Sequence, residues 1–188
     1  SELVDRSAFV DLGSSGGDAV LFAAQQWRSL AYCLGIELLE DRHHWAVAQL
    51  QTLLARDGSK GAGKEDLAHR VQFVCADMLE LPLATVVPRA PQSPKRHLVL
   101  LNSLLFDDEL QYSVLKRLDS QFSSEQEVFI FTSKKLEEAA SCFSRKVLFW
   151  YEDRIQVSWA PWVIKWQIIW LPSHGNVLDI ELWMASLG

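Results

Sequence analysis

The sequence has few cysteines, no excess of basic residues and no long apolar run, and each shortage removes a class of protein. Its three cysteines, Cys33, Cys75 and Cys142, are odd in number and widely spaced, so they form neither a disulfide framework nor a zinc knuckle. They point to a reducing, intracellular setting. Eighteen Lys and Arg stand against 24 Asp and Glu, a net charge of −6, and an acidic chain does not capture nucleic acid through bulk electrostatics. No stretch approaches the roughly 18 uninterrupted apolar residues of a membrane span. The five histidines are scattered apart from His43-His44, and nothing in their spacing suggests a metal site. The chain opens on Ser1 with no basic, apolar leader, which reads as a piece of a longer chain and not as a secreted precursor.

What remains is a globular composition, 49% hydrophobic and 22% charged over 188 residues, enough for one domain with a sizeable core. The order of segments is regular. Ala8 to Leu12 is apolar, Gly13-Ser14-Ser15-Gly16-Gly17 is a turn, and Ala19 to Trp27 is helix-like. Ala31 to Glu37 is a second strand, Asp41 to Arg56 an amphipathic helix, Asp57 to Lys64 a glycine-containing loop, and Val71 to Asp77 a third strand. A proline-rich loop around Pro88, Pro91 and Pro94 precedes the apolar strand His97 to Asn102, a helix over about Asp107 to Gln121, and the strand Val128 to Thr132. Strands alternating with helices predict a doubly wound α/β sheet. From Lys146 the runs Val147 to Tyr151, Ile155 to Trp159 and Val163 to Trp170 have no helical pattern between them, which predicts an antiparallel strand pair closing one edge.

Three of these strands end in an acid: Asp11, Glu37 and Asp77. In an open α/β sheet the ligand lies beyond the carboxyl ends of the strands, so the three acids converge on one crevice. A dinucleotide pyrophosphate needs G-x-G-x-x-G, and here Ser15 and Asp18 stand where the second and third glycines belong. A ligand with a cationic sulfonium, an ammonium, a ribose diol and an exocyclic amine suits acids instead, and S-adenosylmethionine is such a ligand. Gly13 permits the tight turn and Gly17 the approach of helix to strand, Glu37 can accept from the ribose hydroxyls, and Asp77 from the adenine amine.

Phe9-Val10-Asp11-Leu12-Gly13-Ser14 through Gly17, Gly35-Ile36-Glu37, Ala76-Asp77-Met78-Leu79, Leu101 to Phe106 with Glu109 and Leu115-Lys116-Arg117, Thr132-Ser133-Lys134 and Val157-Ser158-Trp159 occur in a telling order. Together they resemble the disruptor-of-telomeric-silencing family of histone H3 lysine methyltransferases, over roughly Ala8 to Trp170. The resemblance implies a class I methyltransferase fold, Rossmann-like, with a mostly parallel seven-stranded sheet and an antiparallel C-terminal strand pair. Residues 1–188 would be the methyltransferase core, without the upstream region that covers cofactor and lysine channel in the family. It implies S-adenosylmethionine as cofactor, S-adenosylhomocysteine as product, and a nuclear enzyme of chromatin acting on a lysine in the folded body of histone H3 in the nucleosome. Carried over by position, Asp11, Gly13, Ser14, Gly17, Glu37, Asp77, Met78 and Asn102 would bind cofactor. Asn102, Phe106, Ser133, Trp159 and Trp166 would line the methyl-transfer and lysine channel. Ser103 and Trp166 stand where the family has a second asparagine and a tyrosine.

Lys95-Arg96 and Lys134-Lys135 offer weak contacts to nucleosomal DNA. Six of the eight tryptophans fall between Trp150 and Trp183, and their plainer role is packing on the sheet. Three other readings stay open: a methyltransferase for another protein or small molecule, a non-catalytic methyltransferase-like subunit that binds a partner, and, more distantly, a nicotinamide-dependent oxidoreductase.

Overall fold

In the computed structural model, residues 5–56, 62–86, 94, 96–102, 106–134, 138–156 and 163–171 are described. Five strands run parallel: β1 (Ala8–Leu12), β2 (Tyr32–Glu37), β3 (Val71–Cys75), β4 (Arg96–Leu101) and β5 (Glu127–Thr132). Two antiparallel strands, β6 (Leu148–Gln156) and β7 (Val163–Leu171), complete a seven-stranded sheet in the order β3-β2-β1-β4-β5-β7-β6. The helices are α1 (Asp18–Gln26), α2 (Glu40–Arg56), α3 (Ala62–Arg70), the short α4 (Leu83–Val86) and α5 (Asp108–Gln121). This is the class I methyltransferase architecture that the sequence predicts.

The apolar runs of the central strands send alternate residues to opposite faces. Phe9, Cys33, Leu98 and Phe129 pack with Val20, Leu21, Ala23 and Ala24 of α1. Val10, Leu34, Val99 and Ile130 pack with Val114, Leu115 and Leu118 of α5. The start of α5 is fixed by Asp107, whose carboxylate accepts from the Leu110 N–H at 2.7 Å, a side-chain cap of the ordinary kind.

Two expectations need correction, the Asp57 to Lys64 loop and the end of the third strand. The loop placed over Asp57 to Lys64 gives way to helix α3 from Ala62, which one apolar residue, Leu67, ties to the core, while Asp66 and Arg70 pair one turn apart at 2.7 Å. The expected antiparallel pair is present as β6 and β7, with Leu148 to Tyr151 and Ile155-Gln156 both inside β6; residues 157–159 lie outside the described residues. A single strand, β6, runs from Leu148 to Gln156 with a register irregularity between Glu152 and Ile155, because a bulge absorbs the polar interruption without ending the ladder. The third strand stops at Cys75, leaving Asp77 in the turn beyond it.

Phe73 explains two glycines at once. A Cβ on Gly17 would lie 2.6 Å from the Phe73 ring and 2.9 Å from the Ala46 Cβ, and a Cβ on Gly35 would lie 2.6 Å from the same ring. Gly17 also has φ 84°, a conformation that strains any other residue. Gly17→Ala is therefore expected to cost about 2–3 kcal/mol from left-handed strain plus overpacking, read as a lowered midpoint in urea unfolding. An unchanged midpoint would show that the ring moves aside freely.

Candidate active site

Register brings the expected residues to one edge. Leu12 pairs with Ile36 on one side and with Leu101 on the other, and Leu101 pairs with Thr132. The next residues, Gly13, Glu37, Asn102 and Ser133, thus lie side by side along the carboxyl edge of the sheet. Gln167 pairs with Thr132, so the backbone of Trp166 sits at the level of Ser133. Trp159 lies outside the described residues.

The glycine turn carries three left-handed residues, Gly13 (φ 81°), Ser15 (φ 49°) and Gly17 (φ 84°). The N–H groups of Gly13 and Ser14 both donate to the Ile36 carbonyl, at 2.8 and 2.9 Å. Glu37 is 5% exposed; one carboxylate oxygen accepts from the Ser15 N–H at 2.8 Å and the other from the Leu39 N–H at 2.9 Å. Each oxygen keeps a second lone pair for a ligand. A side chain from Met78 and one from Phe106 each come within 3.8 Å of where a Gly13 Cβ would stand, so these two line the turn, one from the segment after β3 and the other from the segment between β4 and α5. The Ser14 hydroxyl is buried against Gly35, without a partner among the described residues.

Asp11 is 4% exposed. Burial first, and the negative charge of Glu37 second, push its carboxyl up to about 7, and no described residue offers it a compensating hydrogen bond. Two buried acids with spare acceptor capacity repel a pyrophosphate and favour a cationic ligand. Asp77 turns one oxygen to the Leu79 N–H at 2.8 Å and leaves the other for a donor.

The far wall is held by a polar knot. Gln111 of α5, fully buried, donates to the Thr132 hydroxyl at 2.9 Å, and that hydroxyl donates to the Lys134 carbonyl at 2.6 Å. The Lys134 ammonium pairs with Asp108 and reaches the Phe106 carbonyl at 3.4 Å, which fixes Phe106 beside the turn. Ser133 is buried, its hydroxyl unpartnered among the described residues, and Asn102 is exposed at the mouth. The basic pairs expected to face DNA are partly committed elsewhere. Arg96 pairs with Glu127 at 2.6 Å and Lys134 with Asp108, while Lys95 and Lys135 lie outside the described residues.

A sequence profile described as histone methylation protein DOT1 matches residues 1–145. The chain belongs to the DOT1 family. No curated protein sequence matches it significantly, whereas solved methyltransferases share its fold at low identity. TrmK of M. capricolum, crystallised with S-adenosyl-homocysteine, is 15% identical with a TM-score of 0.57, over 96% of this chain and 70% of that one. An rRNA methylase from Streptococcus thermophilus is 9% identical, TM-score 0.54, over 92% and 90%. Magnesium protoporphyrin IX methyltransferase from Synechocystis, with bound S-adenosylmethionine, is 13% identical, TM-score 0.55, over 87% and 69%. An rRNA and a porphyrin among the substrates that these names carry show that the shared fold leaves the substrate open. The description of the DOT1 family itself names histone methylation.

The sequence did not point to the supports of this candidate site: Phe73 behind the turn, and Trp45 and Gln49 of α2 beside it. One signal was present, since an isolated glycine inside a strand, Gly35, marks a close approach.

Proposed function

We propose that this protein is an S-adenosylmethionine-dependent lysine N-methyltransferase that modifies the folded body of histone H3 in chromatin, and hence works in the nucleus. The observation that carries the cofactor is the pair of buried acids beside the glycine turn, Asp11 without a hydrogen-bond partner among the described residues and Glu37 with spare acceptor sites. Membership of the DOT1 family supports the histone. S-adenosylmethionine, when bound, supplies a methyl group on a positively charged sulfur. Asp11, Glu37 and Asp77 would provide acceptors for its ammonium, diol and amine, and Gly13, Gly17 and Met78 the close walls. Asn102, Phe106 and Ser133, with Trp159 and Trp166, would form the channel. An aromatic channel disfavours the charged form of an entering lysine and so prepares the neutral amine. Its ring faces attract cationic product by about 1–2 kcal/mol each, and alignment supplies most of the remaining acceleration.

The test is calorimetric binding of S-adenosylmethionine, with NAD as control, followed by methyl transfer to nucleosomes bearing intact or tail-deleted H3. Binding without NAD competition, and transfer that survives tail deletion, are the expected results. Binding with no transfer to any form of H3 would sink the substrate. No binding at all would leave a partner-binding subunit as the better reading.

A further inference from the structure

The glycine turn holds a strained, non-glycine residue, Ser15 at φ 49°, between two left-handed glycines. Such a conformation persists only when neighbouring groups over-determine it. On the sheet side that group is Glu37, through the Ser15 N–H. On the helix side the amide of Gln49 in α2 uses both its hydrogens on the turn, donating to the Gly16 carbonyl at 2.8 Å and to the Asp18 carboxylate at 3.0 Å. One turn earlier on the same helix face, the Trp45 ring closes over Gly16, so that a Cβ there would stand 2.9 Å from it. Glu37 and α2 belong to one continuous piece of chain, and they grip the turn from opposite sides.

We infer that Gln49 is a positioning residue for the cofactor turn, holding Gly16 and Asp18 so that the turn is already in its binding-competent shape before ligand arrives. This rests on the cofactor reading above. Affinity falls in proportion to the fraction of molecules in the competent state. Loss of the latch therefore raises the cofactor Kd and KM and leaves kcat at saturating cofactor unchanged. Donor capacity at position 49 decides the outcome. Gln49→Lys keeps donors for both oxygens. Gln49→Leu keeps the bulk and loses them. Gln49→Glu sets a carboxylate against two acceptors. All four residues are good helix formers, so a role confined to holding α2 would not rank them this way.

The experiment compares the four proteins by calorimetry with S-adenosylhomocysteine, by kinetics on nucleosomes, and by amide hydrogen exchange of Ser14 to Ala19 without ligand. We expect Kd to rise about tenfold for Gln49→Leu and more for Gln49→Glu, to stay within about threefold for Gln49→Lys, with kcat constant and turn exchange accelerating in the same order. Equal affinity for the Leu and Gln proteins, or the same loss in all three variants, would overturn the inference. If the unaltered protein binds no cofactor while exchange still follows donor capacity, the latch is upheld and the cofactor reading falls.

Discussion

Glu37→Ala is expected to lower affinity for S-adenosylhomocysteine at least hundredfold, about 3 kcal/mol. Two losses combine. The carboxylate would no longer accept from the ligand, and the Ser15 and Leu39 N–H groups would lose their partners, 2.8 and 2.9 Å away. Hydrogen bonds to a charged group contribute about 1.5–3 kcal/mol each, and here one of them restrains the strained Ser15. The alanine protein should therefore also unfold at lower temperature. Glu37→Gln separates the two roles. Its amide keeps one acceptor and turns a donor toward the other N–H, so the turn is held by a single bond and affinity should fall about tenfold. Calorimetry and thermal unfolding on both variants provide the check. Affinity within threefold of the unaltered protein for Glu37→Ala would take Glu37 out of the ligand's reach and leave it only a structural part.

The shared edge on which the candidate residues lie was legible in the sequence for a reason specific to the fold. In a parallel sheet the carboxyl ends of neighbouring strands face one crevice, so an apolar run that closes at or next to Asp11, Glu37 or Asn102 indicates from local sequence alone which edge these residues occupy. What braces these residues was not legible, because it depends on contacts between distant segments. Nothing near Phe73 says that its ring fills the space vacated by Gly17 and Gly35. Nothing near Gln49, on a helix with a partly polar surface, says that its amide reaches the turn. The same limit explains the misread loop. Helix α3 has a weak apolar stripe, and its commitment comes from Leu67 against the core and Arg70 reaching the Leu30 carbonyl at 3.3 Å.

Asp11 and His97 should give the ligand-free protein an acid response that neither reveals alone. The folded Asp11 carboxyl holds its proton up to about 7, against 3.8 for the unperturbed group. Between those values the folded state binds a proton that the unfolded chain has released, so this group's contribution declines as pH rises, by about 4 kcal/mol at most. His97 has the opposite sign. Buried on β4, its ring 4.7 Å from Phe122 and one nitrogen 2.9 Å from the Gln126 amide, it is pushed down to about 4 from 6.5, chiefly by burial. Here the unfolded chain takes up the proton first, and stability is lost as pH falls from 6.5 to 4, by about 3 kcal/mol at most. Over that shared window the two slopes nearly cancel. Asp11→Asn should expose the histidine, giving a protein that weakens steadily below pH 6.5 and no longer weakens above it. His97→Phe should expose the aspartate, giving a protein that strengthens from pH 7 down to 4. Urea unfolding across pH 4 to 8 measures both, and parallel curves for the two variants would show that neither group titrates as its surroundings dictate. Ligand binding supplies a second reading of Asp11. A cation placed against it favours the charged form, so affinity for S-adenosylmethionine should rise with pH up to about 7, with proton release on binding. In Asp11→Asn that rise should vanish and the affinity should stay low throughout.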